Sequence, residues 1–153
     1  MVLWRLSGLP LARVFDGGYG LLFDGRWNSV GHAVTYCSTS PSLCVLEKLV
    51  HVQDPDLLPE MAMVRYAAPD DVTIEDVSLG DLPNDWRDQE SWTQERGDEW
   101  HGSLRTPLFR APSVVVPLAN SPDMNILINH RHPAISAIRL DSVQPFALDH
   151  RLL

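Results

Sequence analysis

Residues 23–51 read FDGRWNSVGHAVTYCSTSPSLCVLEKLVH: a glycine-rich loop, a β-rich run and an amphipathic run in direct succession. The run AVTYC (33–37) has strand composition, with β-branched and aromatic residues between loop signals. Ser40-Pro41 is a helix start, with Ser at the N-cap and Pro at the first helical position. Leu43, Leu46, Leu49 and Val50 then recur at helical spacing, which predicts a helix over 41–52.

Outward from that core, LWRL (3–6) reads as a first strand, and residues 7–31 as loop with Gly17, Gly18, Gly20 and Gly25. Residues 61–66 read as a strand and 72–77 as a weaker one. The polar stretch 81–106 carries Trp86, Trp92 and Trp100 and suggests a helix near 88–101. SVVVP (113–117) fits a buried strand, 120–133 a loop rich in Asn, His and Pro, and 134–140 and 145–148 the last strands. Many short strands with a few helices, and no βαβ rhythm, give an α+β class: one domain over 1–153 with a mixed or antiparallel sheet.

Composition narrows the function. At 153 residues, 44% hydrophobic and 21% charged, the chain reads as globular. No apolar run is long enough to span a bilayer, and the N-terminus lacks the order of a signal peptide, so a cytoplasmic location is expected. Cys37 and Cys44 form no CxxC pair and read as free thiols. A net charge of −8, with no Lys/Arg cluster longer than two, disfavours direct nucleic-acid binding. A small molecule or a protein partner is expected instead.

Several residues stand out singly. Glu47 lies on the flank of the helix's apolar face, suited to a boundary carboxylate or to one at a cleft edge. Tyr36 reads as strand packing, or as the ring just before the Glu47 helix. The turn between them offers the Ser38, Thr39 and Ser40 hydroxyls and free helix N–H groups, an arrangement that receives anions. Arg26 follows Gly25 and precedes Trp27-Asn28: a planar fork for phosphate, next to a residue that lets a ligand approach the backbone. Arg5 is a charge in an otherwise apolar strand and needs a partner or a ligand. Ser113 opens its run without a GxSxG elbow. His130 and His132 lack a compelling third metal ligand, so no metal site is expected.

Taken together, GRWNSVGHAVTYCSTSPSLCVLEKLVH resembles the RES-domain family, named for its Arg, Glu and Ser residues. APSVVVPLANSPDMNILINHRHP resembles that family's second block, and PFALDHRLL its C-terminus. The sequence departs from the family at Asn129-His130, where proline commonly follows the asparagine. The resemblance implies the toxin of a bacterial type II toxin–antitoxin pair with an ADP-ribosyltransferase-like fold. The toxin would consume NAD+ as substrate, without a cofactor, by hydrolysis, phosphorolysis or ADP-ribose transfer to a protein. Its partner would be an Xre-type antitoxin with a helix-turn-helix part. By family pattern Arg26, Tyr36 and Glu47 are the catalytic positions. Ser113, Arg5, Gly25, Trp27, Asn28, Ser38 and Asn129 are expected to bind NAD+. The chemistry fits: cleaving the nicotinamide–ribose bond builds an oxocarbenium-like ribose that a carboxylate stabilises. Two other classes compete: a binding module without turnover, and a metal-dependent hydrolase built on His130 and His132.

Overall fold

The computed structural model describes residues 1–153. Ten regular elements follow in order: β1 (Val2–Gly8), α1 (Gly18–Leu22), β2 (Val34–Ser38), α2 (Pro41–Leu49), β3 (Met61–Ala67), β4 (Ile74–Asp76), α3 (Glu90–Ser103), β5 (Leu108–Pro112), β6 (Met124–Asn129) and β7 (Arg139–Phe146). The strands form one seven-stranded sheet in the order β4-β5-β6-β2-β1-β3-β7. Every neighbouring pair is antiparallel except β4–β5. The fold is α+β, as expected.

The sheet is two wings. β1 and β3 pair along their whole length, whereas β1 meets β2 only at Trp4 opposite Ser38. Helix α2 packs on both sides of this seam, and the Cys44 thiol reaches the Trp4 carbonyl at 3.2 Å. Each face of the sheet carries its own core. One gathers Leu3, Cys37, Val64, Tyr66, Leu108, Ile126 and Ile128. The other gathers Trp27, Val34, Trp86, Trp100, Phe109 and Leu127. The alternation of Ile126, Leu127 and Ile128 between the two cores is the period-2 signature of a strand buried on both faces.

That strand overturns one expectation. Asn and Pro mark turns, and on that ground 120–133 reads as loop. Yet 124–129 is the inner strand β6, and its asparagines find hydrogen-bond partners within the fold. The expected strand at 113–117 is instead a turn. Ser113 Oγ accepts the N–H groups of Val115 (2.9 Å) and Val116 (3.1 Å), satisfying locally what a ladder would otherwise satisfy. The strand lies just before it, at β5. Pro133–Ala137 is a 3₁₀ turn capped by His132, so the last strands merge into the single edge strand β7, where Pro145 is tolerated. α2 ends at Leu49, three residues short of the expected 52, in 3₁₀-type bonds from His51 to Lys48 and Val52 to Leu49. α1 forms within the stretch that reads as loop.

Candidate active site

Tyr36, Ser38 and Val34 share one face of β2 by alternation. Paired residues share a face across a ladder, so Leu127 (opposite Tyr36) and Asn125 (opposite Ser38) join them, and beyond these Phe109 and Ala111. Glu47 reaches this face from α2. Its Oε1 accepts the Ser113 hydroxyl at 2.8 Å and the Asn125 amide at 3.0 Å. The helix that presents it starts as its sequence requires: Ser40 Oγ accepts the Leu43 N–H at 3.2 Å, and Pro41 opens the first turn.

The other half of the site is the loop over Tyr36. The tyrosine hydroxyl donates to Asn28 Oδ1 at 2.7 Å and accepts the Trp27 N–H at 2.9 Å. Gly25 closes the loop through its N–H to the Asn28 carbonyl. A Cβ on Gly25 would stand 2.7 Å from the Tyr36 hydroxyl, so only glycine permits this contact. Burial, opposed by the Trp27 hydrogen bond and reinforced by Asp98, Glu90 and Asp24, pushes the Tyr36 phenol well above its ordinary range. It therefore acts as a neutral donor and ring.

Arg26 extends from the same loop. Its Nη2 donates to the Arg87 carbonyl at 2.8 Å and its Nη1 to the Trp86 carbonyl at 3.4 Å, with the guanidinium 5.8 Å from the Trp86 ring centroid. No carboxylate pairs with it, unlike Arg96, Arg105 and Arg110. Its charge is held by neutral groups and remains available to an anion.

α3 fixes this loop from behind. Thr93 Oγ1 donates to the Arg26 carbonyl at 2.6 Å, and Gln94 Nε2 to the Gly25 carbonyl at 3.0 Å. Asp98 accepts from the Ser29 N–H at 3.0 Å and from its hydroxyl at 2.5 Å. A Cβ on Gly97 would lie 1.8 Å from the Trp27 carbonyl oxygen, so the helix and the loop touch backbone to backbone there.

The structure thus gathers Arg26, Gly25, Asn28, Tyr36, Ser38, Glu47 and Ser113 on one side of the sheet. The other expected residues are engaged within the fold, Asn129 and Trp27 on this same side and Arg5 on the opposite one. Arg5 points to the other face, opposite Val64, and donates to the Val14 carbonyl (3.1 Å) and the Tyr66 hydroxyl (3.2 Å). Those neutral partners satisfy its N–H groups within the fold, as the Trp86 and Arg87 carbonyls do for Arg26. Asn129 is fully buried: its amide donates to the His101 carbonyl and its Oδ1 accepts the Arg131 N–H, pinning β6 to the end of α3. Trp27 is fully buried against Phe109 and Trp86. At the start of α2, Thr39 donates to the Pro122 carbonyl and Ser40 to Asp123, so both hydroxyls are engaged within the fold and an acid stands beside the helix start. His130 bonds Thr35 and packs on Phe15, while His132 accepts the Ala134 N–H, so the two rings serve separate ends. A cavity of about 530 Å³ lies elsewhere, between Leu9, Leu58, Met61 and Phe146, and none of the site residues lines it.

The structure adds Asn125, Thr93, Gln94, Gly97 and Asp98, which sequence reasoning misses. Asn125 is the most legible of them, since MNILIN alternates in step with Leu127. The α3 residues carry no signal, because their partners lie about 70 positions away.

Comparison with known proteins follows the same outline. The profile described as the RES domain matches residues 2–149. "Toxin Res" of Photorhabdus laumondii is 34% identical over all of this chain and 97% of its own length. "Toxin Res" of Yersinia enterocolitica is 39% identical over 88% of each chain. A Sphingobium protein named "Prs ADP-ribosylating toxin" is 34% identical over 98% of this chain and 95% of its own. Among solved structures, that of the M. tuberculosis MbcT–MbcA toxin–antitoxin complex superposes with a TM-score of 0.76 over 95% of this chain and 83% of its own, at 15% identity. The fold is therefore shared with that structure, and by sequence and extent the chain belongs to the RES-domain family of toxins.

Proposed function

We propose that this chain is the toxin of a toxin–antitoxin pair and acts in the cytoplasm by cleaving the nicotinamide–ribose bond of NAD+. The observation that carries this reading is the Glu47 carboxylate. Two donors hold its Oε1, on the same sheet face as a neutral Tyr36 ring whose covering loop carries an arginine that no acid neutralises. Bond cleavage leaves positive charge on the ribose, and nicotinamide departs neutral. Glu47 supplies the fixed negative charge that stabilises the cation as it develops, or bonds a ribose hydroxyl. Tyr36 offers a flat ring to the nicotinamide, and the acids near it, Asp98, Glu90 and Asp24, favour the cationic ring of the intact substrate. Arg26 grips the pyrophosphate. ADP-ribose then passes to water, phosphate or a protein; the name of the Sphingobium relative supports the last.

An Xre-type antitoxin with a helix-turn-helix part is the proposed partner, its segment covering the side of the sheet that carries Arg26 and Glu47. An apolar rim supports this. Tyr19 and Phe23 stack at 4.8 Å beside Leu22, all three more than half exposed, on the chain leading into the Gly25–Asn28 loop.

The test uses purified protein and NAD+, with and without phosphate, beside Glu47→Gln. Wild type should release nicotinamide. The variant should keep NAD+ affinity and lose about 100- to 1,000-fold in rate, as expected for a preorganised electrostatic group. Free ADP-ribose would identify hydrolysis, and its 1-phosphate phosphorolysis. Equal turnover by the variant would mean that Glu47 does not stabilise the developing cation.

A further inference from the structure

The Glu47 clamp has an internal logic that points beyond the residues already assigned. Ser113 Oγ accepts two backbone N–H groups, those of Val115 and Val116. Both of its lone pairs are engaged, so its single proton has one direction left, toward Glu47 Oε1. Asn125 stands on the inner strand β6, opposite Ser38 on one side and Ala111 on the other, on the Tyr36 face. A carboxylate only accepts, so Asn125 must turn its amide nitrogen to Glu47, at 3.0 Å. Both donors converge on Oε1, and no hydrogen bond engages Oε2.

We propose that Asn125 is a positioning residue: with Ser113 it locks Oε1 and leaves Oε2 as the oxygen that meets the substrate. The two donors come from different places, one from a turn after β5 and one from β6, and their directions fix the plane of the carboxylate. Either alone leaves the carboxylate free to rotate about its last bond. The residue must be asparagine rather than aspartate, because the isosteric acid would set a second negative oxygen about 3 Å from the first. The catalytic consequence rests on the NAD+-cleaving reading; the hydrogen bond itself does not.

The experiment has two arms. In the first, nicotinamide release is measured for wild type, Asn125→Ala, Asn125→Asp, Ser113→Ala and the pair Ser113→Ala/Asn125→Ala. Asn125→Ala should lose on the order of 10-fold in kcat and Asn125→Asp about 100-fold, with the KM for NAD+ within about twofold. A purely structural role would instead move KM, kcat and melting temperature together. The double variant should lose less than the product of the single losses, because each removes the same alignment. Full kcat in Asn125→Ala, or losses that simply multiply, overturns the proposal. Should the alanine variant fail to fold, Asn125→Asp has the same shape and carries the test.

In the second arm the side-chain amide of Asn125, identified in ¹⁵N-labelled protein by its disappearance in Asn125→Asp, is compared between wild type and Glu47→Ala. A marked shift on losing Glu47 supports the clamp, and an unchanged resonance overturns it. This arm needs no turnover. An enzyme that releases no nicotinamide would therefore remove the proposed function while the role of Asn125 is still decided.

Discussion

His130 shows at the scale of one residue how burial becomes pH dependence. Burial holds its ring at about 4, well below the ordinary 6.5, with a partial opposing pull from Asp16. His101, buried beside His32, is lowered in the same direction. Above 6.5 both the folded and the unfolded chain carry these rings neutral, and nothing is lost. Between 6.5 and 4 the unfolded chain binds protons that the folded one refuses, so stability falls as pH falls through that window. Melting temperature should therefore decline from pH 6.5 toward 4, and His130→Gln should flatten the decline. The acids held low by their partners, such as Asp70 and Asp81, act at lower pH and do not mimic it. An unaltered slope in the variant would show that His130 is not the group being titrated. At this scale much of the candidate site is legible in the sequence: Arg26, Tyr36, Glu47 and Ser113, singled out from their neighbours in sequence, come to one side of the sheet. The fold partners of Arg5 and Asn129 are not legible in the same way, because a polar side chain in a strand does not show in sequence that it meets Tyr66 or the end of a helix.

At the scale of elements, the relation between α3 and the Arg26 loop is the instructive one. Glycine inside a helix costs about 1 kcal/mol relative to alanine, so Gly97→Ala would stabilise an isolated α3. In the folded chain the new methyl meets the Trp27 carbonyl, and overpacking of roughly 1–3 kcal/mol outweighs the gain. The variant should melt earlier and bind NAD+ more weakly, since the loop that carries Arg26 must move. A rise in melting temperature with unchanged affinity would show that helix and loop are not in register. Elements are readable from sequence where their pattern is local. The α2 start at Ser40-Pro41 and the strand before it lie within a residue of their expected positions. Placement fails at 113–117 and 120–133 for a physical reason. A serine that caps its own turn can precede three valines, and an asparagine can sit in an inner strand when another element supplies its partner.

The whole molecule is a net acid, at −8, and three of its five ion-paired arginines, Arg96, Arg105 and Arg110, gather around Glu75 and Asp76 at the β4 edge. Arg26 is kept out of that network. Expressed alone in bacteria, the chain should arrest growth. Glu47→Gln at equal abundance should permit it, and co-expression with the cognate antitoxin should do the same for wild type. Normal growth with abundant folded wild type would count against toxicity. The α+β class is legible from the rhythm of short strands and few helices; the strand order is not, because pairings such as β2 with β6 join residues some 90 positions apart. No helix of this chain is long and apolar enough to cross a membrane.

The two wings of the sheet meet through one residue pair, and that narrowness has a dynamic consequence. Ladders resist opening in proportion to their length, so amide exchange should divide the sheet into two cooperative blocks, β2-β6-β5 and β1-β3-β7, with the boundary at Trp4 and Ser38. Glu47 rides on the helix that bridges the boundary, while Ser113 and Asn125 belong to one block alone. Breathing of the seam that carries α2 with β1 would move the carboxylate relative to its donors, and the residence time of the closed seam would then set how long Oε1 stays held.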